Sequence, residues 1–198
     1  MILRNTLVKV VEKVKDYDFK GIGKFMMYLV KETHTTSQGL TTDPRTILVF
    51  ERGSASAMLL TDGDEMLLIE QLRVPTLSIN PSGTILEILA GMIDPGEKGA
   101  RSAVREALEE TGYAVKRGSV KFLFKFFSSP GIMTETISLY HAEVDKNKKE
   151  SQGGGLATEG EDIVLHWVSR SEVAKILANG EIIDGKTIIA IQWWLAQK

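Results

Sequence analysis

The sequence predicts an α+β fold, a mixed sheet that carries a few helices and is preceded by a small N-terminal β-sheet arm. Apolar runs with the alternation and composition of short strands lie on both sides of one amphipathic helical segment. Two more helical segments follow the last of these runs. Mixed strands with a helix inserted among them are typical of layered α+β domains.

The first part of the chain is predicted to form three short strands, at residues 2–14, 25–30 and 46–50. Gly21 and Gly23 serve as turn residues, and the polar residues 33–43 form a linker or a long hairpin loop. Three short strands bury too little apolar surface to stand alone, so we expect them to dock on another surface. The predicted division is an arm at residues 1–45 and a main domain at residues 46–198.

The main domain is predicted to contain a series of strands and three helices. Asp62 and Gly63 form a hairpin turn between the first two strands. Ser169 or Ser171 caps the second helix, and the third helix runs from about residue 187 to 196. The predicted strands are residues 55–60, 65–72, 84–89, 120–127, 135–144 and 162–168.

The first helix of the main domain lies within residues 91–113 and carries most of the chemistry that the sequence reveals. Glu97 opens a run of good helix formers, and Gly112 follows where a left-handed helix stop is expected. One face is predicted to be buried, and Glu106, Glu109 and Glu110 are predicted to project from the other. The predicted buried residues are Ala100, Ala103, Val104, Ala107, Leu108 and Thr111.

The clustered carboxylates of this helix predict a divalent cation site. Glu106 and Glu110 are one turn apart, so their carboxylates repel each other unless a positive charge lies between them. Arg101 and Arg105 offset part of that repulsion. Oxygen ligands in a cluster suit Mg²⁺, with Mn²⁺ as an alternative, and Mg²⁺ commonly binds substrate phosphates as well. Chemistry on a phosphoanhydride is the natural use of such a site.

The spacing of the acidic segment resembles the Nudix box, Gly-x5-Glu-x7-Arg-Glu-U-x-Glu-Glu-x-Gly-U with U apolar. Every fixed position from Gly91 to Gly112 is matched, with Ala107 and Tyr113 as the apolar members. The resemblance implies an α/β/α sandwich around a mixed sheet. It also implies cleavage of a nucleoside diphosphate linked to another group, within the pyrophosphate.

The flanks of the box resemble one branch of that family, the enzymes that hydrolyse ADP-ribose and nucleotide sugars such as GDP-mannose and UDP-sugars. Leu89 stands where this branch usually has proline. Hydrolysis of GDP-mannose, ADP-ribose or UDP-glucose is therefore expected, with strict ADP-ribose specificity as an alternative. A non-hydrolytic sensor and an enzyme that removes oxidised triphosphates are further alternatives. The segments that carry this resemblance are residues 70–73, 86–91, 129–131, 134–135, 153–155, 161–162 and 180–187.

By the same resemblance, Glu106 and Glu110 are the main metal ligands, Glu109 is a secondary one, and the carbonyl of Ala90 contributes. Glu97 orients the helix or a metal-bound water, and Arg105 fixes the neighbouring carboxylates. The general base is predicted to be Glu135, which follows a Pro-Gly loop able to close over substrate. The ligands and their supports thus all lie in or near the box, and only the predicted base is remote in sequence.

Three further residues are candidates for substrate binding. Arg73 at a strand end either clamps a phosphate or is an ordinary surface arginine. Lys186, at the start of the last helix, either donates to a phosphate or is solvated. Glu87 either supports the metal loop or is a strand residue without such a role.

Composition excludes several other classes. The 24 basic and 26 acidic residues give a net charge of −2, which argues against nucleic-acid binding through a broad basic face. The chain has no cysteine, so disulfides and thiolate chemistry are excluded. No apolar run approaches the length of a membrane span, so we expect a cytoplasmic protein with no membrane partner. The small arm predicts a homodimer, and the resemblance implies exchange of the N-terminal arms between its subunits.

Overall fold

The structure is a computed structural model that describes residues 8–18, 26–36, 38–155 and 161–197. The chain forms two compact units. One comprises Met1–Gly53 and Ser129–Glu135, and the other comprises Ser54–Ser128 and Thr136–Lys198. The predicted strand start at residues 2–7 and the predicted turn glycines Gly21 and Gly23 lie outside the described residues.

The N-terminal unit is built on an antiparallel sheet with the strand order β1-β2-β3. Its strands are β1 (Val8–Asp18), β2 (Met26–His34) and β3 (Arg45–Glu51). The small N-terminal sheet predicted from the sequence is therefore confirmed. Because β3 pairs with β2, this unit extends to Gly53 and beyond the predicted boundary at residue 45.

The segment Ser129–Glu135 also belongs to the N-terminal unit, although it is distant in sequence. The Phe50 N–H donates to the Ile132 carbonyl over 2.7 Å, and the Thr134 N–H donates to the Phe50 carbonyl over 3.1 Å. These bonds attach the segment to β3, so the predicted Pro-Gly loop is held by strand-like pairing at its far end.

The second unit contains a seven-stranded mixed sheet in which β4 and β9 are parallel and the other pairs are antiparallel. Its path is β10-β5-β4-β9-β8, with β6 paired to β5 and β7 paired to β4. The strands are β4 (Ala55–Asp62), β5 (Glu65–Leu72), β6 (Thr84–Glu87), β7 (Leu89–Met92), β8 (Lys121–Phe127), β9 (Thr136–Glu143) and β10 (Val164–Ser169).

One predicted strand, residues 84–89, is two strands in the structure. The break falls at Ile88, whose N–H donates to the Thr187 hydroxyl over 2.9 Å instead of to a neighbouring strand. The chain thereby leaves β5 and pairs with β4, which brings Gly91 opposite Ser56. This change of partner delivers the start of the acidic segment to the centre of the sheet.

In the described residues of this unit, three α-helices pack on the sheet: α1 (Gly99–Glu106), α2 (Arg170–Ala178) and α3 (Gly185–Leu195). A π-helical turn, Ala107–Thr111, continues α1. Ser169 caps α2 by accepting the Glu172 N–H, as one of the two predicted caps. Asp184 caps α3 by accepting the Thr187 N–H over 3.0 Å.

The sheet is covered by helices on both faces. Alternate residues of β4 point to opposite sides, so Ala57 and Leu59 join one apolar cluster while Met58 and Leu60 join another. The first cluster includes Val173 of α2 and Ile191 of α3, and the second includes Ala103 of α1. The predicted α+β layering, with a helix on each side of a mixed sheet, is confirmed.

Across the described ranges, no helix combines the length and the apolar character that a bilayer span requires.

Candidate functional site

The site begins where β7 passes beneath α1, at Gly91. A Cβ on this residue would lie 1.9 Å from Oε1 of Glu106, well inside the van der Waals limit. Only glycine therefore lets the Glu106 carboxylate sit against the strand. Ala90, the predicted carbonyl ligand, is the preceding residue of β7 and pairs with Ala57 of β4. The glycine at the start of the predicted motif is thus explained by close approach of backbone and carboxylate.

Glu97 lies just before α1, which begins at Gly99 and not at Glu97 as the sequence predicts. The Glu97 N–H donates to the Asp94 carbonyl over 2.9 Å, so this residue belongs to the turn that precedes the helix. Its carboxylate lies 3.4 Å from Nη2 of Arg105 and 3.9 Å from Nε of Arg101. Glu97 therefore anchors the entry loop to the first two turns of α1.

Arg105 is the centre of the ion pairs in the acidic segment. Its Nη1 lies 2.7 Å from Oε1 of Glu106 and 2.8 Å from Oε2 of Glu109, and its Nη2 contacts Glu97 and the Met92 carbonyl. Burial alone lowers the pKa of Arg105, but the surrounding carboxylates outweigh it and raise that pKa above its usual value. The guanidinium therefore remains charged and holds these acidic side chains together.

The helix face that carries Glu110 differs from the predicted one. Leu108, predicted to be buried, is 37% exposed, and Glu110, predicted to project outward, is 2% exposed. The prediction assumed 3.6 residues per turn. The π-helical turn Ala107–Thr111 has more residues per turn, so each residue is rotated by a smaller angle about the helix axis. The predicted orientation of these two residues is wrong because the helix changes type within the motif.

Glu106 and Glu110 both have raised pKa values. Burial raises the pKa of Glu106 to about 7, although Arg105 acts in the opposite direction. Burial, then the charges of Glu106, Glu161 and Glu87, raise the pKa of Glu110 well above its usual value. Within the part of the chain that the structure describes, Oε2 of Glu110 is buried without a hydrogen-bond partner. Such a site favours the arrival of a positive charge.

A hard divalent cation fits this donor set. Glu106 and Glu110 supply carboxylate oxygens at raised pKa, and a cation would satisfy the partnerless oxygen of Glu110. In residues 8–18, 26–36, 38–155 and 161–197, no three or more carboxylate and histidine side chains converge as a complete metal cage. Mg²⁺ sites commonly take few protein ligands and leave positions to water and substrate phosphates, so the small number of carboxylates is compatible with such an ion.

Glu161, for which no role was predicted from the sequence, interacts with the carboxylates of the acidic helix. Its charge contributes to the raised pKa values of both Glu106 and Glu110, so its carboxylate lies near both. It precedes β10 and is separated from α1 by a large part of the chain. The only sequence signal was its inclusion in the flanking segments that resemble the nucleotide-sugar branch.

The three predicted substrate-binding residues meet in one ion network centred on the buried Glu87 carboxylate. The Glu87 carboxylate, 1% exposed, accepts the Arg73 Nε over 2.6 Å and pairs through its other oxygen with Lys186. Lys186 also lies 3.0 Å from Asp184, the cap of α3. Lys186 is therefore occupied by two carboxylates, whereas the Arg73 side chain remains 38% exposed. Of the three, Arg73 is the one with a surface free to meet a ligand.

Glu135 lies in the N-terminal unit, within the segment Ser129–Glu135. It is 6% exposed, and its Oε1 lies 3.4 Å from Nη1 of Arg52, in the same unit. The predicted base is thus paired with Arg52, the residue that follows β3.

Comparisons with known proteins find a matching family model and similar proteins. The family model of the NUDIX domain matches residues 51–189. The ADP-ribose pyrophosphatase of Escherichia coli K12 is 38% identical over 173 residues, covering 86% of this chain and 81% of that protein. The GDP-mannose pyrophosphatase of Pectobacterium atrosepticum is 38% identical over 148 residues, covering 73% of this chain and 74% of that protein.

A solved structure, described as the crystal structure of an ADP compounds hydrolase, is similar to this chain with a TM-score of 0.70. The match covers 98% of this chain and 96% of that one. At 20% sequence identity, this likeness shows a shared fold.

Proposed function

Because this chain belongs to the Nudix family, we propose that it hydrolyses the pyrophosphate of nucleoside diphosphate sugars with the help of a divalent cation, Mg²⁺ or Mn²⁺. It is an enzyme that acts on phosphoric anhydrides. ADP-ribose and GDP-mannose are the proposed substrates, since the relatives with 38% identity are named for them. The products are a nucleoside monophosphate and a sugar phosphate.

The observation that carries this proposal is the pair formed by the half-buried Glu106 and the buried Glu110. Burial disfavours the charged form of both side chains and raises their pKa values, and one oxygen of Glu110 has no hydrogen-bond partner among the described residues. A bound cation would neutralise them and supply Lewis-acid polarisation of the phosphates. Glu109 and the Ala90 carbonyl are proposed to complete the ligand set from the same helix and strand. A structural role alone gives no reason to keep this arrangement.

Side chains of the protein would bind the substrate and hold the ligand helix in place. The exposed part of Arg73 is proposed to bind a phosphate oxygen, while Glu87 fixes the direction of its guanidinium. Arg105 and Glu97 hold the ligand helix and its entry loop. Water attacks one phosphorus, the bridging P–O bond breaks, and the second phosphate leaves as a monoester.

A carboxylate must take the proton of the attacking water. Glu135 is our proposal for this base, on the strength of the family resemblance of residues 129–135 and of its ion pair with Arg52. Glu161 is a second candidate, and the specific observation in its favour is its charge at both Glu106 and Glu110. The comparison of variants described in the Discussion separates the two.

A substrate panel tests the proposed function. Purified protein is incubated with ADP-ribose, GDP-mannose and UDP-glucose, with Mg²⁺ or with EDTA, and the products are resolved by chromatography. We expect AMP or GMP together with a sugar phosphate, and we expect EDTA to abolish their release. Binding of a nucleotide sugar without product, in the presence of Mg²⁺, would support the alternative of a non-hydrolytic sensor. Turnover of ADP-ribose alone would support the ADP-ribose-specific alternative.

A further inference from the structure

The loop between β9 and β10 contacts the C-terminal end of the acidic helix through its backbone. The Gly154 N–H donates to the Glu110 carbonyl over 2.8 Å, and the Gly155 N–H donates to the Glu109 carbonyl over 3.3 Å. In return, the Gly112 carbonyl accepts the N–H of Glu150 over 2.8 Å. We call residues 153–155 the glycine loop. It reaches the two carbonyls that belong to the predicted metal ligands at the end of the motif.

These carbonyls need partners from outside the helix. The last carbonyls of any helix have no intrahelical donor, and Gly112 ends this one in a left-handed conformation with φ of 79°. The Gly112 N–H returns to the Leu108 carbonyl over 3.0 Å. No helical turn follows to serve Glu109 and Glu110, so the glycine loop supplies their donors.

The contact is so close that it requires glycine on both sides. A Cβ on Gly153 would lie 2.5 Å from the carbonyl carbon of Thr111 and 2.7 Å from the Gly112 nitrogen. A Cβ on Gly112 would lie 2.2 Å from the Ser151 carbonyl oxygen. Gly112 therefore serves two purposes: it ends the helix, and it lets the loop approach.

We propose that the glycine loop is a positioning element for the cation-binding carboxylates. By holding the carbonyls of the π-helical turn, it keeps Glu110 turned inward, toward Glu106. Glycines 153 to 155 thus act through Glu110 and touch neither substrate nor cation. The proposal deepens the function proposed above and rests on it.

The same loop connects the helix end to Glu161. The Gly154 carbonyl accepts the Ile163 N–H over 3.3 Å, and a Cβ on Gly155 would lie 2.6 Å from the Glu161 Cβ. A displacement of the loop would therefore change the surroundings of the Glu106 and Glu110 carboxylates in two ways: it would move the helix end, and it would move Glu161. This predicts that the loop affects cation binding more than overall stability.

Two glycines of the loop form a matched pair for the test. Gly153 and Gly154 both have positive φ, 68° and 99°, so alanine is strained at either position. Only at Gly153 would the added Cβ strike the helix end, since nothing lies within 4 Å of one on Gly154. The difference between Gly153→Ala and Gly154→Ala isolates the contact from the strain. Gly118→Ala, in open space and without positive φ, serves as the neutral control.

The experiment makes two measurements, both with no substrate present. Electron paramagnetic resonance gives the Mn²⁺ affinity, and thermal unfolding gives the stability of each variant. We expect Gly153→Ala to weaken Mn²⁺ binding on the order of tenfold, as loss of a support behind a metal ligand does. Gly154→Ala should weaken it far less, and Gly118→Ala should match the unchanged protein. Equal Mn²⁺ affinity in the Gly153 and Gly154 variants would overturn the positioning role. No binding by the unchanged protein would instead remove the proposed function.

If Gly153→Ala does not fold, a measurement on the unchanged protein tests the positioning role of the glycine loop. Amide hydrogen exchange followed by NMR should show the Gly154 N–H protected, and Mg²⁺ should slow its exchange further. A Gly154 amide that exchanges like an exposed one, or that ignores Mg²⁺, would contradict the proposal.

Discussion

At the scale of single residues, burial of charge explains the site. Glu110 lies inside the protein as a carboxylate whose second oxygen has no partner among the described residues, and Glu106 stands beside it. The chain keeps this unfavourable arrangement at a position fixed by Gly91, Arg105 and the π-helical turn. Burial of a charged carboxylate costs free energy, and a bound cation would offset that cost.

Replacement of Glu110 by glutamine tests this directly. Glu110→Gln removes the buried charge, so the metal-free protein should unfold at a higher temperature at pH 8. The same change should eliminate the stabilisation by Mg²⁺ and lower kcat/KM by about 100-fold or more, the upper end for residues that only support a ligand. Differential scanning calorimetry and product chromatography measure the two effects. Glu172→Gln, on the exposed first turn of α2, is the control and should change neither.

The raised pKa of Glu106, about 7, predicts the pH dependence of cation binding. In the folded, metal-free protein this group binds a proton more tightly than in the unfolded chain. Its contribution to stability is therefore present below pH 4.5 and is lost as the pH rises through about 7. A cation competes with that proton, so the rise in Tm caused by Mg²⁺ should grow between pH 6 and pH 8. A rise in Tm that is independent of pH over this range would contradict the assignment.

The two candidate bases are separated by their kinetic effects. Glu135→Gln should lower kcat at least about tenfold with KM nearly unchanged if Glu135 takes the proton. Glu161→Gln should then act mainly on the Mg²⁺ concentration that gives half-maximal rate. Ordinary turnover in Glu135→Gln, combined with a large loss of kcat in Glu161→Gln, would assign the base to Glu161.

At the scale of elements, the buried network of Glu87 and Lys186 joins β6 to α3. The side chains are 2% and 9% exposed, so each charge depends on the other. Ile88 and Thr187, one residue further along each element, add a hydrogen bond of 2.9 Å. This junction makes β6 end at Glu87 and sends the chain toward β4. The position of Gly91 under α1 therefore depends on α3, which lies at the other end of the sequence.

Removing one partner of this network should be costly. Lys186→Met leaves the buried Glu87 with Arg73 as its remaining partner, and we expect a loss of about 3 kcal/mol in unfolding free energy, the lower end for broken buried pairs. Urea denaturation measures it. Lys175→Met, at an exposed position of α2, should change stability by less than about 0.5 kcal/mol. The double variant Glu87→Gln, Lys186→Met should recover part of the loss, because it also removes the buried charge of Glu87 and leaves only the more exposed Arg73 and Asp184 without these partners.

At the scale of the whole molecule, the N-terminal sheet stays a predicted dimerisation arm. A three-stranded sheet has little apolar surface to bury by itself, and Met26 and Leu48 are 38% and 37% exposed. A second subunit would cover such side chains. Light scattering of the full chain at micromolar concentration should give twice the protomer mass of 21.9 kDa. The protomer mass alone would contradict the prediction of a homodimer.

The local pattern of the sequence determined the family, the α+β layering and the residues of the acidic segment. Fixed spacings from Gly91 to Gly112 suffice for this, because a helix and the loop before it depend mainly on near neighbours in sequence. The same local reasoning failed at Leu108 and Glu110, where it assumed one helical period throughout.

Tertiary structure alone decided which charges are buried and what holds them. Four features depend on residues that are far apart in sequence. They are the inward orientation of Glu110, the pairing of Lys186 with Glu87, the break between β6 and β7, and the hydrogen bonds of the glycine loop to the helix end. Periodicity and propensity carry no information on such pairs, since these depend on which surfaces meet once the sheet has formed. The motif supplies the carboxylates, and packing against distant segments turns them into a receptor for a cation.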